Sequence, residues 1–271
     1  MSVTESRPDD AAVPEPLLRI EALGKRFGGL VALDNVTIRL QPGEFRAVIG
    51  PNGAGKSTLF NTLTGLHRPD LGRVFLSGTE VTGRTPHALA RLGVGRTFQI
   101  TSVFSALTSL ENVQIALLAH SGRSWNVLAW ARSMQVTQAR ALLDLVGLRD
   151  RESQLAGTLA HGDQKRLELA IALATEPKLL LLDEPTAGMA ARERLESIAL
   201  VHRIAREIGL TVIFTEHDMA VVFAVASAIT VLHQGRVLAE GLPEEVRANP
   251  VVHDVYLGET PSDYAAEQER A

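Results

Sequence analysis

The hydrophobic positions of this 271-residue chain change their period along its length. In the first third, short apolar and β-branched runs predict strands in "LLRIEAL", "VTIRL", "FRAVIG" and "RVFLSG". From Ser109 to Ala174, apolar residues recur at three- and four-residue steps and predict helices in "LENVQIALLA", "QARALLDLVGL" and "KRLELAIALA". Strand-length apolar runs then return in "KLLLLDE", "LTVIFTEH" and "AITVLHQG", with helical patterns between them.

Apolar strands that alternate with helices are typical of an α/β domain whose parallel sheet is covered on both faces. We therefore predict one such domain over residues 17–258, with a helical part at about 100–175 inserted into it. The polar ends, residues 1–16 and 259–271, are predicted to be loose tails.

Composition and charge narrow the function classes. The chain has no cysteine, so disulfide and thiolate metal sites are excluded, and this fits a reducing cytosol. A net charge of −4 argues against a dedicated nucleic-acid binder. The acidic, proline-bearing start does not match a secretory signal. The longest nearly apolar run, Met219 to Leu232, has about 14 residues, whereas a spanning helix needs roughly 20.

The stretch "GPNGAGKST", Gly50 to Thr58, is the strongest chemical signal in the chain. It follows an apolar strand and opens a helical pattern, which is the setting of a phosphate-binding loop. Glycines let the backbone N–H groups turn toward phosphate oxygens, and the helix start adds positive potential. We expect Lys56 to reach the β- and γ-phosphates of a nucleotide and Ser57 to offer its hydroxyl to Mg²⁺. A glycine turn that merely caps a helix is the alternative.

Two carboxylates, Asp183 and Glu184, end the apolar run "KLLLLDE". At the end of a buried strand beside a phosphate loop, Asp183 is placed to hold the Mg²⁺ shell. Glu184 is then placed to orient or deprotonate the attacking water. Without the phosphate loop, two acids at this position would only end a strand at the surface.

The glycine-bearing turn "LAHGDQ" stands at the head of the helical pattern "KRLELAIALA". Such a turn suits the free N–H groups and the positive dipole end of a helix. Taken alone, it indicates a helix N-terminus and nothing more.

With these motifs in this order, the chain resembles the ATP-binding subunits of ABC transporters over about Leu17 to Gly258. The resemblance implies a P-loop NTPase (RecA-like) core of the ABC ATPase type, with an N-terminal antiparallel β part and an inserted α-helical subdomain. It also implies an ATPase that uses ATP and Mg²⁺. Phe27 in "KRFGG" matches the aromatic residue that stacks on adenine. Gln99 in "RTFQI" matches the glutamine that senses the metal and the attacking water, and His217 in "FTEHDM" matches the switch histidine that contacts the γ-phosphate.

In that family the segment at "LAHGDQ" is the signature, commonly Leu-Ser-Gly-Gly-Gln, and it meets the nucleotide held by a second ATPase subunit. Here Ala160 replaces the serine, His161 the first glycine and Asp163 the glutamine. The form Leu-Ala-(aromatic)-Gly-Asp-Gln is similar to the variant in branched-chain amino-acid importers, as are "RTFQ", "EHDM" and the ending "AEGLPEEVRANPVVHDVYLGE". In "PTAGMAARE", Ala190 and Ala191 stand where that subfamily often has Asn-Pro.

The resemblance implies three sets of site residues. The catalytic set comprises Glu184, His217 and Gln99. The metal set comprises Ser57, Gln99 and Asp183. The nucleotide-binding set comprises Phe27, Gly50, Pro51, Asn52, Gly53, Ala54, Gly55, Lys56, Ser57, Thr58, Leu159, Ala160, His161, Gly162 and Asp163.

The expected function is ATP hydrolysis that energises a membrane permease, with uptake of branched-chain or related amino acids as the first interpretation. Expected partners are integral-membrane permease subunits, a second identical or related ATPase subunit and a periplasmic or extracellular substrate-binding protein, with no nucleic acid. The chain would be cytoplasmic and peripheral on the inner membrane face. The alternatives are the ATPase of a lipid or lipopolysaccharide exporter, an ABC ATPase acting on nucleic acid or ribosomes, and a nucleotide-binding regulator that does not hydrolyse ATP.

Overall fold

Ten strands form two sheets in the part of the chain that the computed structural model describes, residues 15–97, 103–121 and 135–257. Apart from residues 15 and 16, the predicted tails lie outside this part, and so does Gly258, the last residue of the predicted domain. The strands are β1 Leu18–Phe27, β2 Leu30–Leu40, β3 Phe45–Ile49, β4 Leu71–Leu76, β5 Thr79–Glu80, β6 Val94–Thr97, β7 Leu179–Asp183, β8 Thr211–Thr215, β9 Ala228–His233 and β10 Arg236–Gly241.

The first sheet is antiparallel, with the order β2-β1-β4-β5. β1 and β2 form a hairpin in which Leu18 pairs with Leu40 and Phe27 with Leu30. This hairpin carries "KRFGG" at its turn, so both strands run farther than the apolar pattern predicts. The antiparallel β part that the resemblance implies is confirmed.

The second sheet has the order β10-β9-β3-β8-β7-β6. β9, β3, β8, β7 and β6 are parallel, and only β10 runs antiparallel to its neighbour. Every residue of β3, β7 and β8 is buried. Continuous burial arises because helices cover both faces of a parallel sheet, so all side chains of the central strands are apolar or held inside. The predicted parallel sheet is confirmed.

Helices cover the faces of this sheet and build the inserted helical part. The helices of four or more residues are α1 Lys56–Leu63, α2 Pro86–Arg91, α3 Ser109–His120, α4 Val136–Leu145, α5 His161–Leu173, α6 Ala191–Ile208, α7 Met219–Val225 and α8 Pro243–Ala248. A short helical turn, α9, spans Pro250–Val252, and residues His253–Leu257 continue it in a π-helical form.

Between β6 and β7, the three predicted helical runs are observed as α3, α4 and α5. Thr108 starts α3 with a capping box, since its side chain accepts from Glu111 N and the Glu111 carboxylate accepts from Thr108 N. Buried Val113, Leu143 and Leu167 bring the three helices into the same hydrophobic core as the sheet. The helical insertion is thus attached to the domain through a shared apolar cluster.

The apolar run from Met219 to Leu232 divides into two elements. Asp218 caps α7 by accepting from the backbone N–H groups of Ala220 and Val221, and β9 begins after the helix ends. Within the described ranges, the longest apolar helices fall short of what a membrane crossing requires.

Candidate functional site

The segment Gly50–Thr58 connects the end of β3 to the first turn of α1. Gly50 has φ +148°, and a Cβ at this residue would collide with the carbonyl oxygen of Leu232. Gly55, with φ +105°, is the residue from which α1 starts. Both positions therefore need glycine, because the backbone lies where side chains of other residues are strained or have no room. The result is a tight loop whose exit is a helix N-terminus, as the phosphate-loop interpretation requires.

Lys56 is the first residue of α1, and its side chain folds back over the loop. Its Nζ donates to the carbonyl oxygens of Gly50 and Pro51, the second at 3.1 Å. Burial lowers the pKa of the Lys56 ammonium, and the carboxylates of Glu184 and Asp183 act in the opposite direction. The positive charge is thus held inside the loop, facing the two carboxylates. Ser57 follows on the exposed side of the helix start.

Asp183 is the last residue of β7 and lies opposite Thr215, the last residue of β8. Its Oδ1 accepts from the Thr215 hydroxyl at 2.8 Å, and its Oδ2 accepts from Arg96 at 3.0 Å. Only 6% of the residue is exposed. A buried carboxylate needs such partners, because the loss of hydration would otherwise be costly.

Glu184 leaves the strand with a left-handed backbone, φ +49°. Its backbone N–H donates to Thr215, whose carbonyl oxygen and hydroxyl lie at 3.2 and 3.1 Å. Its Oε1 lies 2.9 Å from Nε2 of His217, which follows β8. A non-glycine residue with positive φ is uncommon and is often found at functional sites. The strand end therefore directs the Glu184 side chain toward His217.

A second contact, which is buried, joins the segments that follow β7 and β8. Thr186 donates its backbone N–H and its hydroxyl to Oε1 of Glu216, at 2.9 and 2.6 Å. Glu216 is buried, and it ties the segment after Glu184 to the segment that carries His217.

Four of these residues were missed by the sequence reasoning: Arg96, Thr215, Glu216 and Thr186. Thr215, Glu216 and Thr186 are polar and lie at the end of a buried strand or within three residues of it, and this position was the available signal, whereas Arg96 lies inside the partly buried edge strand β6. For Thr215 and Glu216 the signal is the polar end of the apolar run "LTVIFTEH". Their partners could not be read from the pattern, because the bonds join strands 30 or more residues apart.

The signature-like segment is also at a helix start. Ala160 is the N-cap residue of α5, and its side chain cannot accept a hydrogen bond. The backbone N–H groups of the first turn are therefore not capped by the N-cap side chain. His161 contacts the carbonyl oxygen of Ala187 at 3.3 Å. Asp163 pairs with Arg151 at 2.5 Å and with Arg166 at 4.0 Å. None of these side-chain bonds reaches the phosphate loop of the same chain.

Gly162 lies in that first turn, beside the start of α6. A Cβ at Gly162 would collide with the carboxylate of Glu193. Leu159, just before the turn, is buried and joins the main core. The segment is therefore anchored by Leu159, and it leaves Ala160 exposed and Gly162 half-buried.

Phe27 and Gln99 complete the predicted site residues. Phe27 is 43% exposed at the turn of the β1–β2 hairpin, packs edge-on against His67 and lies near the Lys25 ammonium. An exposed ring of this kind does not belong to the hydrophobic core and is available to a ligand. Gln99 lies outside the described residues.

Oxygen donors for a divalent cation are few. In the described ranges, no three or more His, Asp or Glu side chains gather into a metal cluster. Asp183 and the Ser57 hydroxyl offer hard oxygen ligands, which are the donors that Mg²⁺ prefers. Such a pair fits a cation whose remaining positions are filled by phosphate and water rather than by a protein cage.

The chain matches two family models. One, described as "ABC transporter", covers residues 33–187. The other, described as "Branched-chain amino acid ATP-binding cassette transporter", covers residues 236–261. The two matches lie in sequence order and include the phosphate loop, both strand-end carboxylates and the C-terminal part of the domain.

Individual proteins agree with these matches. The chain is 40% identical over 251 residues to the high-affinity branched-chain amino acid transport ATP-binding protein BraF of Pseudomonas aeruginosa, covering 90% of this chain and 98% of BraF. It is 39% identical over 254 residues to the corresponding protein LivG of Escherichia coli K12, covering 90% and 99%.

Solved structures agree as well. A nucleotide-free ATP-binding cassette from an ABC transporter superposes with a TM-score of 0.79 at 32% identity, covering 90% of this chain and 100% of that one. A dimeric cassette in a post-hydrolysis state bound to ADP and Pi gives 0.69 at 26% identity, covering 83% and 98%.

Proposed function

Because the chain belongs to the ABC transporter family of ATP-hydrolysing proteins, we propose that it energises a membrane permease that takes up branched-chain or related amino acids. The family match at residues 236–261 and the relatives BraF and LivG support this importer over a lipid exporter or an ATPase acting on nucleic acid. The substrate-binding protein and the position on the inner membrane face belong to the same proposal.

One structural observation carries the ATPase chemistry. The carboxyl ends of three adjacent parallel strands, β3, β8 and β7, bring the phosphate loop, His217 and the pair Asp183–Glu184 to one edge of the sheet. Ligands of α/β proteins bind at this edge. A positive loop thus faces two carboxylates, as phosphoryl transfer to water requires.

We assign the roles as follows. The backbone N–H groups of Gly50–Thr58 and the Lys56 ammonium hold the β- and γ-phosphates of ATP. Ser57 and Asp183 would hold Mg²⁺, which when bound neutralises charge on the phosphate oxygens. Glu184 orients or deprotonates the attacking water, and His217 contacts the γ-phosphate. Phe27 stacks on adenine, and Gln99 senses the metal and the water.

We further propose that two ATPase subunits face each other head to tail, and that the first turn of α5 binds the nucleotide of the partner. The dimeric cassette bound to ADP and Pi supports a dimer. The exposed α5 start, with Gly162 and no capping side chain, can approach an anion through its backbone. Ala160 removes one hydroxyl donor, so we expect these contacts to be made by backbone N–H groups.

The helical insertion is the proposed permease-facing surface. Where it meets the core, α2, β6 and α5 border a mainly apolar cavity of about 370 Å³ whose lining includes Leu66, Leu89, Val94, Ile171 and Ala172. Leu66 is 52% exposed at its edge. An apolar recess of this kind fits the packing that a protein partner requires.

The experiment is affinity purification of the tagged chain from membranes, followed by transport in vesicles. We expect an integral-membrane permease and a second ATPase subunit to copurify, and ATP to drive uptake of radiolabelled leucine, isoleucine or valine. Glu184→Gln is the matched control, because it keeps the subunit assembled while removing the proposed base. Copurification with an exporter-type permease, or wild-type complexes that hydrolyse ATP without amino-acid uptake, would overturn the importer assignment.

A further inference from the structure

Arg96 links the strand-end carboxylates to the helix that begins with the phosphate loop. It lies on the edge strand β6, paired with Leu181 of β7, and its side chain is 11% exposed. One nitrogen of its guanidinium, Nη2, donates to Oδ2 of Asp183 at 3.0 Å. The other, Nη1, donates to the side-chain oxygens of Asn61 and Thr64, at 2.7 and 3.2 Å.

On the carboxylate side, these bonds fix the orientation of Asp183. The Thr215 hydroxyl occupies Oδ1 at 2.8 Å, and Arg96 occupies Oδ2. The carboxylate is therefore held at both oxygens, by two different strands. A side chain held in this way keeps one rotamer.

On the helix side, Asn61 belongs to the last turns of α1, and Thr64 is its C-cap residue. The Thr64 hydroxyl donates to the Phe60 carbonyl oxygen at 2.8 Å, so its lone pairs face Arg96. α1 begins with Lys56 and Ser57, the proposed phosphate and Mg²⁺ residues. A single planar cation thus connects the two parts of the proposed metal site.

We propose that Arg96 is a positioning residue for Mg²⁺: its guanidinium sets the spacing between the Asp183 carboxylate and the α1 helix that carries Ser57. This inference rests on the proposed roles of Asp183 and Ser57. The fork geometry is essential to it, because an ammonium group cannot hold Asp183 and Asn61 in one plane. The competing view is that Arg96 only neutralises a buried carboxylate.

Arg96→Lys separates the two views, because it keeps the positive charge and loses the fork. We measure phosphate release at saturating ATP while Mg²⁺ is varied. Loss of a partner that orients a metal ligand typically weakens metal affinity 10- to 100-fold, so we expect half-maximal activity to need roughly tenfold more Mg²⁺.

Asn61→Ala tests the same idea from the other side. It removes the shorter of the two bonds from Arg96 to the α1 region but leaves the Arg96–Asp183 pair and its charges in place. We expect a shift of the Mg²⁺ midpoint in the same direction. Arg91→Ala, on the exposed face of α2, is the matched arginine control and should leave the midpoint unchanged. Thermal unfolding of each variant shows whether the fold is retained.

Two outcomes would overturn the proposal. One is an Arg96→Lys protein with the wild-type Mg²⁺ midpoint, which would show that charge alone suffices. The other is an Asn61→Ala protein that retains its fold and has the wild-type Mg²⁺ midpoint. This result would show that α1 is not positioned through Arg96. If the proposed function itself fails, the wild-type chain shows no Mg²⁺-dependent phosphate release, and this result is distinct from both.

Discussion

Nε2 of His217 lies 2.9 Å from Oε1 of Glu184, and this contact joins the ends of two neighbouring parallel strands. A carboxylate can only accept, so Nε2 carries the proton of this bond when Glu184 is ionised. The contact places a carboxylate and an imidazole side by side at the edge of the sheet, within reach of the phosphate loop that we propose binds ATP.

Glu184→Gln should abolish most ATP hydrolysis without preventing ATP binding. The amide keeps the size of the side chain and can still face His217, but it cannot accept a proton from water. We expect hydrolysis to fall on the order of 10²-fold or more, the usual scale for a positioned general base. Phosphate release measures the loss, and a fluorescent nucleotide measures binding.

The same variant should accumulate a dimer in ATP and Mg²⁺, because hydrolysis is the step that separates the proposed subunits. Size-exclusion chromatography with and without ATP tests this expectation. The Lys56→Ala variant is the control, since it should stay monomeric under both conditions. A Glu184→Gln protein that binds ATP but elutes only as a monomer would contradict the dimer mechanism.

Lys56→Met should lose the stabilisation that ATP provides without destabilising the nucleotide-free chain. Burial lowers the pKa of Lys56, so the folded chain holds this proton less tightly than the unfolded chain does. The resulting loss of stability is fully present below the pKa that Lys56 has in the folded chain. It disappears as pH rises toward the pKa that Lys56 has in the unfolded chain. Methionine removes the buried charge, so its melting temperature at pH 7 should equal or exceed that of wild type.

Thermal unfolding at a series of pH values checks the sign. Any advantage of Lys56→Met over wild type should shrink as pH rises toward the ordinary lysine pKa near 10.5, where the wild-type ammonium also becomes neutral. Added ATP should raise the melting temperature of wild type only. A variant that melts well below wild type at pH 7 would show that the bonds from Lys56 to Gly50 and Pro51 outweigh the burial of its charge.

Ala160→Ser should stabilise the chain by supplying the missing cap of α5. Ala160 has the extended backbone of an N-cap residue, with φ −61° and ψ 155°, and no side-chain cap. A serine cap in place of alanine is worth about 1 kcal/mol, which raises the melting temperature by roughly 2–4 °C in a domain of this size.

Ala190→Ser is the matched comparison. Ala190 is the N-cap residue of α6, with φ −65° and ψ 155°, and its side chain likewise makes no capping hydrogen bond. Both variants should melt higher than wild type. A rise for Ala190→Ser alone would mean that the first turn of α5 does not accept a cap in the way its backbone geometry predicts.

A mixed dimer tests whether "LAHGDQ" acts on the partner's nucleotide. Gly162→Arg places a bulky side chain where even a Cβ meets the Glu193 carboxylate, so the backbone of α5 can no longer approach phosphate closely. Lys56→Ala disables the nucleotide site of its own chain. The mixed dimer contains one chain of each kind. If each site uses Lys56 of one subunit and Gly162 of the other, one of the two sites keeps both residues. Hydrolysis should then recover to about half of wild type if the sites are independent.

A dimer of wild type with the Lys56→Ala, Gly162→Arg double variant is the control. It keeps an intact site only if both residues serve the same chain, so it should be inactive under the proposal. Activity in this control together with an inactive mixed dimer would assign "LAHGDQ" to the nucleotide of its own chain.

Local chemistry made the phosphate loop predictable from sequence. "GPNGAGKST" needs glycine where the backbone is left-handed and lysine at the first helical turn, and these demands depend on residues within nine positions. The strands before Gly50, Asp183 and His217 were predictable for a similar reason, because burial on both faces imposes continuous apolar runs. The helical periodicity of α3, α4 and α5 was predictable too.

The interactions among these motifs were beyond the sequence pattern. The bonds that Thr215 makes to Asp183, that Glu216 makes to Thr186 and that Arg96 makes to Asn61 connect residues from 30 to 35 positions apart. Each depends on the strand order β3-β8-β7-β6, which brings neighbours together that are distant along the chain. The hydrophobic periodicity of the sequence does not indicate which polar side chains will form hydrogen bonds with each other.

The sequence by itself determined the chemical groups of the site and the kind of element that carries each one, because loop conformation and burial are set by nearby residues. Only the tertiary structure decided how these groups pair: that His217 meets Glu184, that Asp183 is held at both oxygens, and that His161 at the start of α5 contacts the Ala187 carbonyl oxygen. These pairings follow from the register and order of parallel strands, which are joined by long crossover connections that contain helices. They are therefore properties of the packed domain.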